Sequence, residues 1–166
     1  MKQIIILLLI INPLLTYSQG ATKTEINWIT LEKAKQYAKK YNKEILIFFY
    51  KKDCEYCDKM KKEALSDMQV INLINNNFLP VKINSRTKDT IYYKGTKYSN
   101  QQPVEHGYTF RHDFYAEVSS FTRDNTEQST TPTIVLFNNQ FKKLKNLPGL
   151  QPKQLLLRNL RPYILK

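Results

Sequence analysis

Two cysteines separated by two residues, Cys54-Glu55-Tyr56-Cys57, are the only thiols in this 166-residue chain. Their spacing selects a short list of chemistries. Two thiols three positions apart at the start of a helix can close a small disulfide ring and open it again. The N–H groups left over at a helix N-terminus favour negative charge, so the first sulfur there forms a thiolate more readily than a free cysteine does. Lys51 and Lys52 push the same way, and Asp53 and Glu55 push against them. The second sulfur, one turn further in, is expected to lie deeper. The division of labour that follows is an attacking Cys54 and a resolving Cys57, working through a mixed disulfide.

Other uses of the pair can be weighed on the same residues. A purely structural disulfide over so short a loop removes little entropy from the unfolded chain and stabilises poorly. A c-type haem site needs a histidine directly after the second cysteine, where Asp58 stands. A metal site would add His106 and His112 to the pair, making a Cys2His2 set. Cys-x2-Cys is a zinc spacing, but the histidines follow at a loose interval. The sharper alternative is an exported copper-binding or chaperone module using Cys54, Cys57 and a histidine, since soft thiolates suit Cu(I). Otherwise His106 reads as a loop residue and His112 as a helix-surface residue. No organic cofactor is implied.

The elements that must position the pair follow from periodicity. Leu31, Ala34, Ala38 and Tyr41 recur at helical spacing behind Thr30 as N-cap, which predicts a helix over 31–42. Ile45 to Tyr50 is an unbroken apolar run of strand length, as in a strand buried on both faces. A second helix starts around Cys54 and runs through Met60 and Leu65. A short helix over 70–76 and a strand over 78–83 come next. Residues 91–98 read as a small hairpin turning near Gly95. Phe114, Tyr115, Val118 and Phe121 predict a helix over 111–121, and 124–131 reads as a polar loop. A hairpin of 133–137 and 141–147 turns at Asn138-Asn139 and ends at Gly149. Pro152 opens a last helix, with Leu156 and Leu160 inward and Pro162 at its end. Trp28 is expected to pack the first helix onto the sheet. The order implies an α/β sandwich with a mixed sheet.

Several of these features together resemble the thioredoxin-like superfamily. They are Ile45–Tyr50 running into Cys54-Glu55-Tyr56-Cys57-Asp58-Lys59-Met60, then Val81-Lys82-Ile83-Asn84, then Thr131-Pro132-Thr133 opening the penultimate strand. The resemblance covers roughly residues 26–165, and Met60 is similar to the exported one-domain members. It implies a thioredoxin fold, with a mixed central sheet flanked by helices and an insertion before the cis-proline strand. It also implies that Pro132 is cis and shapes the groove beside the cysteines, that Thr131 contacts substrate backbone, and that Lys82 matches a lysine near the site. Asp53 stands where thioredoxin has tryptophan, and Phe48 where it has a buried aspartate, so proton transfer falls to solvent or Glu55. Glu55-Tyr56 replaces Gly-Pro, which leaves reductase, oxidase and isomerase open. The segment from Asn84 to Pro132 is longer than its thioredoxin equivalent. Its extra part, roughly 86–110, carries Tyr92, Tyr93, Tyr98 and Tyr108 and reads as decoration near the active-site edge, with the tyrosines covering a sheet edge or lining a substrate groove.

Residues 1–18 are expected to form a secretory signal peptide: Lys2, an apolar run from Ile4 to Ile11, the Asn12-Pro13 break, and small residues before a cut after Ser18. The apolar run is shorter than the roughly 20 residues a membrane-spanning helix needs, so no stable membrane insertion is expected after cleavage. Residues 19–166 then form one thioredoxin-like domain, exported to a periplasm or secreted. The net charge is +12 with the leader. Lysines spread thinly along helix faces, in an exported chain, argue against nucleic acid. The expected partners are protein thiols or disulfides and an upstream redox partner, met by a monomer.

Overall fold

The computed structural model describes residues 24–100, 110–123 and 126–164; the expected leader, His106 and Tyr108 lie outside them. The central sheet grows from β1 (Glu44–Tyr50), whose Ile45 to Phe49 are all fully buried. It runs parallel to β2 (Phe78–Asn84) on one side and antiparallel to β7 (Thr133–Phe137) on the other, with β8 (Lys143–Pro148) outside β7. The mixed sheet expected from the sequence is therefore present, with order β2-β1-β7-β8.

Alternation along β1 splits the core into two layers, because successive strand side chains point to opposite faces. Leu46 and Phe48 pack with Met60 of α2 (Glu55–Glu63), Val70 and Ile74 of α3 (Met68–Asn77), and Leu156 of α5 (Lys153–Leu160). Ile45, Ile47 and Phe49 pack with Leu31, Ala34 and Ala38 of α1 (Leu31–Tyr41) and with Phe114 and Val118 of α4 (Asp113–Ser119). Thr30 caps α1, its Oγ1 accepting from the N–H of Lys33. A 3-10 turn, Arg161–Tyr163, follows α5. Among the described residues no helix is long and apolar enough to cross a membrane.

Several local expectations are corrected. Trp28 sits on the face opposite α1, its ring 6.0 Å from that of Phe48. It precedes Ile29, which bridges to Val81 in extended backbone, so the two side chains are sent to different layers. The helix over 111–121 is shorter. Phe121 instead opens β5 (Phe121–Arg123), which pairs with β6 (Thr126–Gln128) inside the stretch read as loop. β8 starts two residues later than expected, because the Asn138 side chain accepts from the N–H groups of Gln140 and Lys142 and widens the turn.

The hairpin of β3 (Ile91–Tyr93) and β4 (Thr96–Tyr98) does form, with Lys94 and Gly95 both at positive φ in a two-residue turn. Ile91 and Tyr93 are buried in the same layer as α1 and α4, so this part of the long segment is core. Tyr98 packs against that core and Tyr92 is exposed.

Candidate active site

β1 runs out at Tyr50, and the chain turns through Lys51, Lys52 and Asp53. Asp53 adopts φ 52°, a left-handed conformation that Asp tolerates better than most residues. The turn delivers Cys54 in extended conformation as the N-cap of α2. Its sulfur accepts from the N–H of Cys57 at 3.2 Å, the interaction that would stabilise a thiolate once the pair is reduced. Cys54 and Cys57 are joined in a disulfide with Cα atoms 5.2 Å apart. Cys57 is fully buried, whereas Cys54 keeps a small exposed fraction, in line with the expected order of depth. Met60, one turn on, anchors α2 in the core.

The segment before β7 comes back to meet this sulfur. Cys54 Sγ lies 3.8 Å from the carbonyl oxygen of Thr131 and 3.9 Å from its Oγ1. The Thr131–Pro132 peptide is cis, as the resemblance implies. The Pro132 carbonyl accepts from the N–H of Gly149 at 2.9 Å, which ties the segment to the end of β8. All four site residues read from the sequence, Cys54, Cys57, Thr131 and Pro132, thus occupy one corner, at the C-terminal end of β1.

Two residues that hold this corner were not singled out from the sequence. Tyr115 donates its phenol to the carbonyl of Thr130 at 2.6 Å, and that carbonyl also accepts from Thr133 Oγ1. Burial pushes the Tyr115 phenol above its ordinary pKa, which keeps it a neutral donor. Arg111 Nη1 donates to Ser129 Oγ at 2.6 Å. The sequence marked Tyr115 only as an apolar helix position. The polar run Ser129-Thr130-Thr131 ahead of Pro132 was the available hint that something must brace it. A cavity of about 270 Å³ opens beside Cys54, walled by Lys51, Asp53, Glu55, Arg86 and Arg111 among others.

The remaining candidates are placed elsewhere. His112 is buried, not on a helix surface: its Nδ1 accepts from the N–H of Phe114 as the cap of α4, and Nε2–H donates to the Asp89 carbonyl. Both ring nitrogens are engaged by backbone, so His112 has none to offer a metal beside the cysteines. Among the described residues no three His, Cys, Asp or Glu side chains gather to hold a metal ion. Lys82 is exposed on β2, with its Nζ near the rings of Trp28 and Tyr50. Phe48 is fully buried, so the position before the motif carries no ionisable group, and Glu55 is exposed in the first turn of α2.

The model of the thioredoxin-like domain matches residues 31–163, which is most of the chain. The chain belongs to the thioredoxin-like family. Among curated proteins, mouse anterior gradient protein 3 is 29% identical to this thioredoxin-like chain over 66 residues. That match covers 39% of the chain and 40% of the relative, so the likeness spans well under half of that protein's length. Two solved structures share the fold at low identity. The DsbH oxidoreductase aligns over 92% of this chain and 94% of its own at 16% identity, with a TM-score of 0.58. A thioredoxin from Thermus thermophilus aligns over 86% and 89% at 20% identity, with a TM-score of 0.57. On this fold, a disulfide that caps a helix with its outer sulfur at an open edge is chemically a dithiol–disulfide couple.

Proposed function

We propose that this protein is a thiol–disulfide oxidoreductase that exchanges disulfides with exported proteins through Cys54 and Cys57. The observation that carries the reading is the position of the disulfide: it caps α2, with the Cys54 sulfur beside Thr131 and Cys57 buried behind it. In the oxidising direction a substrate thiolate attacks Cys54 Sγ. The Cys54–Cys57 bond breaks, Cys57 leaves as a thiolate, and a second substrate thiol then displaces Cys54 from the mixed disulfide. In the reducing direction Cys54 thiolate attacks a substrate disulfide and Cys57 resolves the product. Thr131 offers its backbone to the substrate chain, and Pro132 shapes the groove that receives it.

Export rests on residues 1–18, whose basic start, apolar run and small residues fit a cleaved leader. In a periplasm or outside the cell the partners are protein thiols or disulfides, and an upstream redox protein resets the couple. The protein acts as a monomer. Reductant-dependent precipitation of insulin, abolished by Cys54→Ser, is the expected result; full activity in that variant would refute the reading. The reduction potential against glutathione sets the direction. A value near the ~−270 mV of thioredoxin marks a reductant and one near ~−120 mV an oxidant.

A further inference from the structure

Arg86 and Arg111 bracket the long inserted segment, one just after β2 and the other just before α4. The fold brings both to the cavity of about 270 Å³ beside Cys54, where Lys51 adds a third cation. Asp53 and Glu55 line it too, and both are exposed to water, which screens them. Arg111 is exposed as well, but held in place by its bond to Ser129, whereas Arg86 and Lys51 are half-buried, so their charges are screened less.

Arg111 gives one bond to the neutral hydroxyl of Ser129. A guanidinium has five donors in a planar fork suited to a carboxylate, and a neutral partner does not balance its charge. Ser129 is two residues before Thr131, so the cation is fixed to the edge that lies against the Cys54 sulfur. A substrate whose sulfur reaches Cys54 Sγ lays its neighbouring side chains over this cavity.

We propose that the cavity binds a carboxylate carried next to the substrate's reacting sulfur, with Arg86 and Arg111 as the specificity-determining residues. This rests on the disulfide-exchange reading of Cys54. The carboxylate comes either from an acidic side chain beside a cysteine in a polypeptide, or from the main chain of a small thiol such as glutathione. The net charge of +12 draws either kind of ligand toward the protein.

The test uses Cys57→Ser protein and end-blocked cysteine peptides activated as 2-thiopyridyl disulfides, with Glu, Gln or Lys next to the cysteine. Cys54 thiolate attacks the peptide sulfur, the peptide–pyridyl S–S bond breaks, and the neutral pyridine-2-thione released is measured. The Glu peptide should react about fivefold faster than the Gln peptide, with Lys slowest. The ratio should fall toward one in Arg111→Met and Arg86→Met and in about 1 M salt. Where Glu outpaces Gln, an activated glutathione arm that is faster still assigns the site to a small thiol, and a slower one assigns it to polypeptides. Equal rates for Glu and Gln, or a faster Lys peptide, overturn the inference while leaving disulfide exchange intact. If no peptide reacts, the exchange reading falls and the inference with it.

Discussion

At the scale of single residues, the two sulfurs differ in access, and so they should differ in rate. Cys54 keeps some exposure and receives an N–H, while Cys57 is fully buried on the inner face of α2. In reduced protein at neutral pH, iodoacetamide should therefore label Cys54 much faster than Cys57, as mass spectrometry of a time course would record. Equal labelling would remove the assignment of attacker and resolver. Tyr115 gives a second expectation. Its phenol bonds the Thr130 carbonyl, and burial raises its pKa above the ordinary value of about 10. A raised folded pKa means this contribution is whole below about pH 10 and is lost as pH rises through the folded value. Tyr115→Phe should cost about 1 kcal/mol at neutral pH and lose less stability than wild type from pH 8 to 11 in urea titrations. Parallel alkaline curves would show that the buried phenol does not contribute. The Cys54–Cys57 pair was legible because its residue types and spacing are local, and the place of Thr131-Pro132 beside it, 77 residues on, because the order of motifs resembles a known family. Tyr115 and Arg111 were not, because their partners are 15 and 18 residues away.

At the scale of elements, helix ends decide more than helix faces. The core positions of α5 and most of those of α1 could be read from spacing alone, although Tyr41 of the α1 stripe is exposed, whereas the cap of α4 could not. A histidine is an uncommon cap, and its second nitrogen is used on a carbonyl 23 residues away. His112→Ala should cost about 1–3 kcal/mol, since it removes a cap and leaves a buried N–H without a partner. His112→Asn, which can still cap, should recover part of that loss in chemical denaturation. Full stability in the alanine variant would contradict the structural role. Asp67 caps α3 and also meets Lys153 of α5 at 2.8 Å. The hydrogen bond from Lys153 is the main cause holding its carboxyl below the ordinary pKa. A depressed folded pKa stabilises above the usual carboxylate value of about 4, and that stability is lost as pH falls through the folded value. Asp67→Asn should therefore flatten the acid limb of a stability–pH curve between about pH 5 and 2. An unchanged limb would show that the pair is not felt.

At the scale of the whole molecule, the site lies at the C-terminal end of β1, where the two core layers meet the same strand. One layer seats α2 and so holds the cysteines; the other seats α4 and so holds the segment from Ser129 to Thr131. The long segment between β2 and β7 belongs to that second layer. Phe114 is fully buried there, with its ring 5.5 Å from Tyr93, 6.0 Å from Phe49 and 6.4 Å from Phe137. Composition could not reveal this: tyrosines in an irregular stretch look the same whether they cover an edge or fill a core. The difference is set by long-range packing: alternation on a three-residue strand puts Tyr93 and Tyr92 on opposite sides, and the rings of Phe114 and Phe137 make the Tyr93 side the inner one. Phe114→Ala should then act at two distances. Locally it leaves a cavity among aromatic rings and costs about 3–5 kcal/mol in urea unfolding. At the site it loosens α4, so the Arg111 and Tyr115 bonds to residues 129–130 weaken and exchange at Cys54 slows, although no atom near sulfur has changed. Hydrogen exchange at the Tyr93 amide should rise in that variant. Met60→Ala, on the opposite layer, should cost a comparable 2–5 kcal/mol but leave the Tyr93 amide as protected as the lower global stability permits. If Phe114→Ala costs under about 1 kcal/mol, or leaves exchange at Cys54 at the wild-type rate, the inserted segment does not support the site.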